Sequence, residues 1–134
     1  MSLYVDASAF VKLYVEEAES GECEDILSGD PTWLTAGHTL VEVRRALVRA
    51  LSGRELAQAR ERFGGHWRWT NVLQLDDVTC QLGAEIAEAT GVRTLDALHL
   101  AAARRAGAGS LPFLTYDLRL AQAARGIGWT VLGA

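Results

Sequence analysis

Lysine is almost absent from this chain: Lys12 is the only one in 134 residues, and the other twelve basic side chains are all arginine. Cysteine is nearly as scarce. Cys23 and Cys80 stand far apart with no CxxC or Cys/His spacing, so neither a disulfide framework nor a zinc site has support, and both read as buried or inert thiols. No apolar run approaches the roughly 20 residues that a membrane-spanning helix needs, and no N-terminal stretch combines basic residues with an apolar core and a cleavage site. A cytosolic (cytoplasmic) protein with no membrane association is expected. No linker, internal repeat or low-complexity segment interrupts the chain. What is present is 49% hydrophobic content, ample for the core of one domain without covalent or metal staples.

Acids outnumber bases 17 to 13, for a net charge of -4, but the charge is segregated. Residues 1–30 hold eight acids against Lys12, and the remainder holds nine acids against twelve arginines. That distribution leaves room for an anionic ligand which the net charge alone would argue against. Metal bound to a carboxylate cluster would leave the surface more basic still. Coding bias in an Ala- and Gly-rich chain accounts for an all-arginine set equally well.

Apolar periodicity and turn signals predict strands at residues 2–5, 33–36, 72–75, 113–116 and 129–132. Helices are predicted at 8–16 with Ser8 as cap, then at 19–27, 38–51, 54–63, 78–89, 94–106 and 118–125. Breaks fall at Gly29-Asp30-Pro31, Ser52-Gly53, Gly64-Gly65 and Gly91. Strands alternating with helices imply an α/β sandwich around a largely parallel central sheet.

Four acids open or close these elements: Asp6, Glu42, Asp96 and Asp117. Asp6 follows Leu3-Tyr4-Val5 and Asp117 follows Phe113-Leu114-Thr115-Tyr116, so both stand at carboxyl ends of predicted strands, where open α/β sheets bind ligands. Each also reads as a cap of the helix that follows. Asp96 opens a helix that is apolar nearly all round, where an ionised carboxylate needs a partner; a hydrogen bond to His99 on the same stripe would satisfy both. A first-turn acid favoured by the helix dipole is the alternative. Glu42 looks solvated, because Leu40, Val43, Leu47, Val48 and Leu51 share one arc and Glu42 faces away, within reach of Arg45 or Arg49. Arg44 falls inside that arc, as a snorkelling side chain or as an interface or phosphate contact. The run His66-Trp67-Arg68-Trp69 offers either stacking on unpaired bases or cover for a core edge or partner chain. Lys12 is expected on a solvated face. Carboxylates gathered without His or Cys partners suit Mg²⁺ or Mn²⁺, so metal-assisted phosphate chemistry is the first functional expectation.

The segment Tyr4-Val5-Asp6-Ala7-Ser8-Ala9-Phe10-Val11-Lys12-Leu13-Tyr14 resembles the start of PIN-domain ribonucleases of the VapC toxin type. Leu40-Val41-Glu42-Val43-Arg44-Arg45-Ala46-Leu47 looks like that family's helix with the second acid, and Thr94-Leu95-Asp96-Ala97-Leu98-His99-Leu100-Ala101 like its helix with the third. Thr115-Tyr116-Asp117-Leu118-Arg119-Leu120-Ala121 is similar to its last motif, while residues 64–71 match none. The resemblance implies one PIN-like nuclease domain over residues 1–134. It implies that Asp6, Glu42, Asp96 and Asp117 form the catalytic, metal-binding cluster, with Ser8 and Thr115 as orienting hydroxyls. It also implies Mg²⁺- or Mn²⁺-dependent cleavage of an RNA substrate, the toxin role of a toxin-antitoxin pair, a cognate antitoxin protein as inhibitor, and a homodimer. Pairing of protomers through helical surface in the N-terminal half is expected. A haloacid-dehalogenase-like phosphatase resembles this chain less, since it wants a second Asp where Ser8 stands and a late lysine, which receiver domains also use. A catalytically weak module that holds RNA or an antitoxin is the remaining alternative.

Overall fold

Leu3, Tyr4 and Val5 are all buried, and because successive side chains of a strand point to opposite faces, this strand needs cover on both. The structure, a computed structural model, describes residues 2–107 and 109–134. The chain runs β1 (Ser2–Val5), α1 (Ala7–Lys12), α2 (Ser20–Ser28), β2 (Thr32–Ala36), α3 (Thr39–Ala50), α4 (Gly53–Trp69), β3 (Asn71–Leu73), α5 (Asp77–Thr90), α6 (Thr94–Arg105), β4 (Phe113–Thr115), α7 (Leu118–Gly126) and β5 (Val131–Gly133). All strand pairs are parallel, in the order β3-β2-β1-β4-β5. On one face Leu3 and Val5 pack with Phe10, Trp33, Leu47 and Phe63; on the other Tyr4 packs with Leu100, Phe113 and Leu120. The expected α/β sandwich is therefore present, with a sheet that is wholly parallel. Among the described residues no helix is long and apolar enough to cross a membrane.

The strand order fixes where a ligand can sit. From β1 the chain moves outward through β2 and β3, then returns to the other side of β1 at β4. The connections leaving β1 and β4 diverge, which opens a crevice at the carboxyl ends of these two strands. Asp6 and Asp117 follow those ends.

Several boundaries differ from the sequence expectation. Helix α1 is capped by Asp6, whose side chain accepts from the Ala9 N–H, so Ser8 lies inside the helix, which ends at Lys12. Helix α4 does not stop at Gly64-Gly65 but continues to Trp69. The apolar side of that helix explains its persistence: Phe63 packs edge-on against Phe10 and Trp67 lies tilted against both, burial that outweighs about 1 kcal/mol of intrinsic cost per glycine. Trp67 thus covers a core edge, while Trp69 lies against Trp33 and stays half exposed. On α3 the buried side chains are Thr39, Val43 and Leu47; Leu40 and Val48, expected in the core, are 36% and 54% exposed. Gly91 ends α5 as expected, in the left-handed conformation at φ 74° that a side chain disfavours. Cys23 is buried, whereas Cys80 is exposed.

A Cβ added at Gly64 would meet nothing within 4 Å, and one at Gly65 would meet only the flexible end of Arg68 at 4.0 Å. Gly64→Ala and Gly65→Ala are each expected to stabilise the protein by about 0.5–1 kcal/mol, read as a higher denaturant midpoint at unchanged slope. A lower midpoint for both would mean that the chain needs a flexible joint there.

Candidate active site

Asp6 is 3% exposed, and a carboxylate that deep must have its oxygens bonded. Oδ1 accepts from the Ser8 hydroxyl at 2.7 Å and the Ala9 N–H at 3.0 Å; Oδ2 accepts from the Thr115 hydroxyl at 2.6 Å. Thr115 in turn accepts the Asp117 N–H at 3.0 Å, and Ser8 accepts the Tyr116 N–H at 2.9 Å. Two hydroxyls thereby tie the end of β1 to the end of β4. Asp117 caps α7, its Oδ1 accepting from Arg119 and Leu120 N–H groups at 2.9 and 3.1 Å. The capping readings of Asp6 and Asp117 are therefore both met; Asp117 lines the groove at the strand ends, whereas buried Asp6 is not among its lining residues.

Glu42 is not on a solvated face. Its Oε1 accepts from His99 Nε2 at 2.7 Å and lies 3.6 Å from His38 Nε2, and neither Arg45 nor Arg49 pairs with it among the described residues. The helical wheel misplaces Glu42 because a wheel describes one helix, whereas His99 comes from α6, packed beside it. His99 is buried, and its Nδ1 accepts from the Tyr4 hydroxyl at 2.8 Å. The expected Asp96–His99 bond is absent; the Asp96 carboxylate makes no hydrogen bond among the described residues. His38, four residues before Glu42, lies against His99 with ring centroids 4.1 Å apart and planes tilted by 43°. Burial and the neighbouring His99 push its pKa down to about 4, so it is neutral at pH 7. Lys12 departs from its expected solvated face. It pairs with Glu17 and Glu19 at 3.3 and 3.0 Å and lies over the Tyr116 ring.

Glu42, Asp96 and Asp117 line one open groove of about 890 Å³, with Arg93 and Arg119 on its rim. A second hollow continues from it past Ser8 and Arg45, sharing Glu42, Leu95 and Tyr116 as wall. Burial holds the Asp6 carboxyl above the usual aspartate range, opposed by His99 and the three hydrogen bonds. Asp96 is raised as well, first by burial and then by the negative charge of Asp117, with Glu42 adding to it. The donor set is thus several carboxylates that crowd one another. A divalent cation fits it, because oxygen ligands are what Mg²⁺ and Mn²⁺ take and its charge would offset that repulsion.

Sequence reading missed His38, Arg93 and Arg119. His38 and Glu42 are separated by one helical turn, a spacing visible in the sequence; Arg93 and Arg119 sit three and two residues from Asp96 and Asp117. Arg44 lies outside the groove, exposed beside Leu40, Val41 and Val48.

The family described as the PIN domain matches residues 3–126. Ribonuclease VapC45 of Mycobacterium tuberculosis (strain CDC 1551 / Oshkosh) is 34% identical over 137 residues, covering 98% of this chain and 95% of the relative. Among solved structures, that of Mycobacterium tuberculosis VapC20, a sarcin-ricin loop cleaving toxin, is similar with a TM-score of 0.75 at 18% identity over 96% of each chain. A toxin-antitoxin complex from Klebsiella pneumoniae is similar with a TM-score of 0.67 at 15% identity over 87% of each chain. At those identities the solved structures carry the fold alone.

A carboxyl whose folded pKa lies above its unfolded one adds stability below the unfolded value and loses it as pH rises through the folded value. Asp96 is such a group. Asp96→Asn is therefore expected to raise the melting temperature of metal-free protein at pH 7. The gain should shrink as pH falls toward the ordinary aspartate range near about 4. Thermal melts across that range check it; equal melting at pH 7 would remove the crowding argument.

Proposed function

The chain belongs to the PIN-domain family, and from that premise we propose that it is a Mg²⁺- or Mn²⁺-dependent endoribonuclease, the toxin of a toxin-antitoxin pair acting in the cytoplasm. The observation that carries this reading is the convergence of Glu42, Asp96 and Asp117 on one groove, with Arg93 and Arg119 on its rim and Asp6 joined to it through Thr115, which also accepts the Asp117 N–H. VapC45 bears the name ribonuclease, and the reading brings that activity to this chain. Residues 1–134 act as one nuclease domain.

A bound divalent cation would lower the pKa of the attacking water and offset charge on the leaving oxygen. The chain's own part is to fix geometry and phosphate position. Asp6 is rigid because Ser8, Ala9 and Thr115 leave its carboxylate no freedom to turn, yet Oδ2 accepts one bond and keeps a lone pair for metal. Glu42 is aimed by His99, which Tyr4 orients in turn; the Tyr4 hydroxyl donates to Nδ1, so the proton on Nε2 goes to Glu42. Asp96 and Asp117 complete the cation-binding set from the two helix N-termini beside the groove. Arg93 and Arg119 meet phosphates as planar, permanently charged forks. The groove is open along its length, which suits a polymer rather than an enclosed small molecule.

The toxin role brings a cognate antitoxin, a partner that the Klebsiella complex contains for its own toxin. The exposed face of α3, where Leu40, Val41 and Val48 lie among Arg44, Arg45 and Arg49, supports a protein contact. We assign a homodimer to helical surface in this half of the chain; a monomer alone in sedimentation at micromolar concentration overturns that assignment.

The activity test is cleavage of a structured RNA pool by purified protein in EDTA, Mg²⁺ or Mn²⁺. Cutting should need the cation, and Asp6→Asn and Asp96→Asn should each lose more than the about 10–100-fold that outer-shell partners of a metal are worth. Thr115→Val should fall within that range. Cleavage retained in both Asn variants would defeat the site assignment.

A further inference from the structure

Three of the site's side chains form a set whose chemistry differs from that of the acids: His38, Glu42 and His99. One ligand atom from each lies within 4.8 Å of the others, and the group spans two elements, one turn at the start of α3 and the buried face of α6. We infer that His38, Glu42 and His99 bind a borderline transition-metal cation of the Zn²⁺ class, in addition to the hard cation that the carboxylates suit.

The donor set carries the inference first. Two imidazoles with one carboxylate match the ligands that Zn²⁺, Co²⁺ and Ni²⁺ take, and Mg²⁺ does not favour nitrogen. Geometry comes second. Ligands at about 2.0–2.1 Å from a tetrahedral centre stand about 3.4 Å apart. Glu42 Oε1 is 3.6 Å from His38 Nε2, close to that spacing, and 2.7 Å from His99 Nε2, which a turn of the Glu42 carboxylate opens. Three protein ligands leave a fourth position for water, as in an exchangeable rather than a closed structural site.

The third observation is confinement. The His38 side chain is only 9% exposed, with Nε2 3.1 Å from the Leu95 carbonyl and 3.6 Å from Glu42 Oε1, so the ring is held with that nitrogen beside the carboxylate. His99 has the outer support typical of a metal-binding imidazole, with its Nδ1 fixed by the Tyr4 hydroxyl. Metal on Nε2 would move the His99 proton to Nδ1, with the Tyr4 oxygen then accepting.

Glu42 links this set to the acids. Its Oε1 faces the imidazoles, and Oε2 takes no hydrogen bond among the described residues. A Zn²⁺-class ion that draws Glu42 toward the histidines withdraws it from the carboxylate cluster and slows RNA cleavage. That consequence rests on the nuclease reading; the binding site does not.

The test uses the metal-stripped full chain and Co²⁺, whose visible absorption reports nitrogen ligands and low coordination number. One equivalent should bind, Zn²⁺ should displace it, and millimolar Mg²⁺ should not. In imidazole NMR spectra Zn²⁺ should shift His38 and His99 but leave His66, which bonds Tyr14 elsewhere, as internal control. His38→Ala, or His38→Gln should Ala fold poorly, should weaken Co²⁺ binding at least about tenfold. Zn²⁺ should slow cleavage by the wild type and should slow the same variant less, each measured against its own rate in Mg²⁺ alone. Co²⁺ bound equally by wild type and both variants, or Zn²⁺ that leaves His38 and His99 unshifted, would overturn the proposal. Binding with no RNA cleavage would instead sink the nuclease reading alone.

Discussion

The structure depends on keeping one carboxylate, that of Asp6, ionisable in the interior. An unpaired charge at such depth costs several kcal/mol, so its surroundings must supply donors from fixed directions. Two of them, Ser8 and the Ala9 N–H, are available only if a helix begins directly after β1. The third, Thr115, is available only if the end of β4 lies beside the end of β1, which is the parallel pairing Tyr4–Phe113 and Val5–Leu114. Because Thr115 also accepts the Asp117 N–H, satisfying Asp6 fixes where α7 starts. A single burial requirement thus specifies the switch point of the sheet and the mouth of the groove together.

The same strand governs the other side of the site. Tyr4 stacks on Phe113 with centroids 5.0 Å apart and planes 7° apart, so its hydroxyl cannot wander. It positions His99, which positions Glu42 on α3. Core packing on the second face of the sheet is therefore transmitted through two hydrogen bonds to a carboxylate in the groove. A change at Tyr4 that kept the core packed but removed the hydroxyl would leave both His99 and Glu42 free to turn.

Much of this was legible in the sequence, and the misses share a cause. Alternating strands and helices, the turn at Gly91 and the strand-end positions of Asp6 and Asp117 are local signals, and the structure agrees with them. The persistence of α4 through Gly64-Gly65 is decided by Phe10 and Tyr14, more than forty residues away in sequence. Glu42 looked solvated and His99 looked bound to Asp96 because each helix was read by itself, and only their packing brings Glu42 onto His99. Likewise α6 is apolar nearly all round yet leaves Asp96 only half-buried, since its first turn lines the groove. Ser8 and Thr115, which the resemblance implies as orienting hydroxyls, do bond Asp6, whereas nothing in the sequence pointed to His99 as the donor to Glu42.

The scarcity of lysine acquires a structural meaning here. Lys12, though close to the groove, is held by Glu17 and Glu19 from the acid-rich first thirty residues and lies over Tyr116. Those acids thus neutralise the one compact, mobile cation that could have filled the carboxylate cluster itself. The cations left facing the groove are Arg93, Arg119 and Arg45, whose planar heads are too broad to enter among the carboxylates and match the paired oxygens of a phosphate. The Asp117 charge adds to burial in raising Asp96, and an ion small enough to sit between the carboxylates would relieve that repulsion. On the proposed nuclease reading, segregation of acid and base along the chain separates two tasks of one groove, binding a cation at the centre and an anion at the rim.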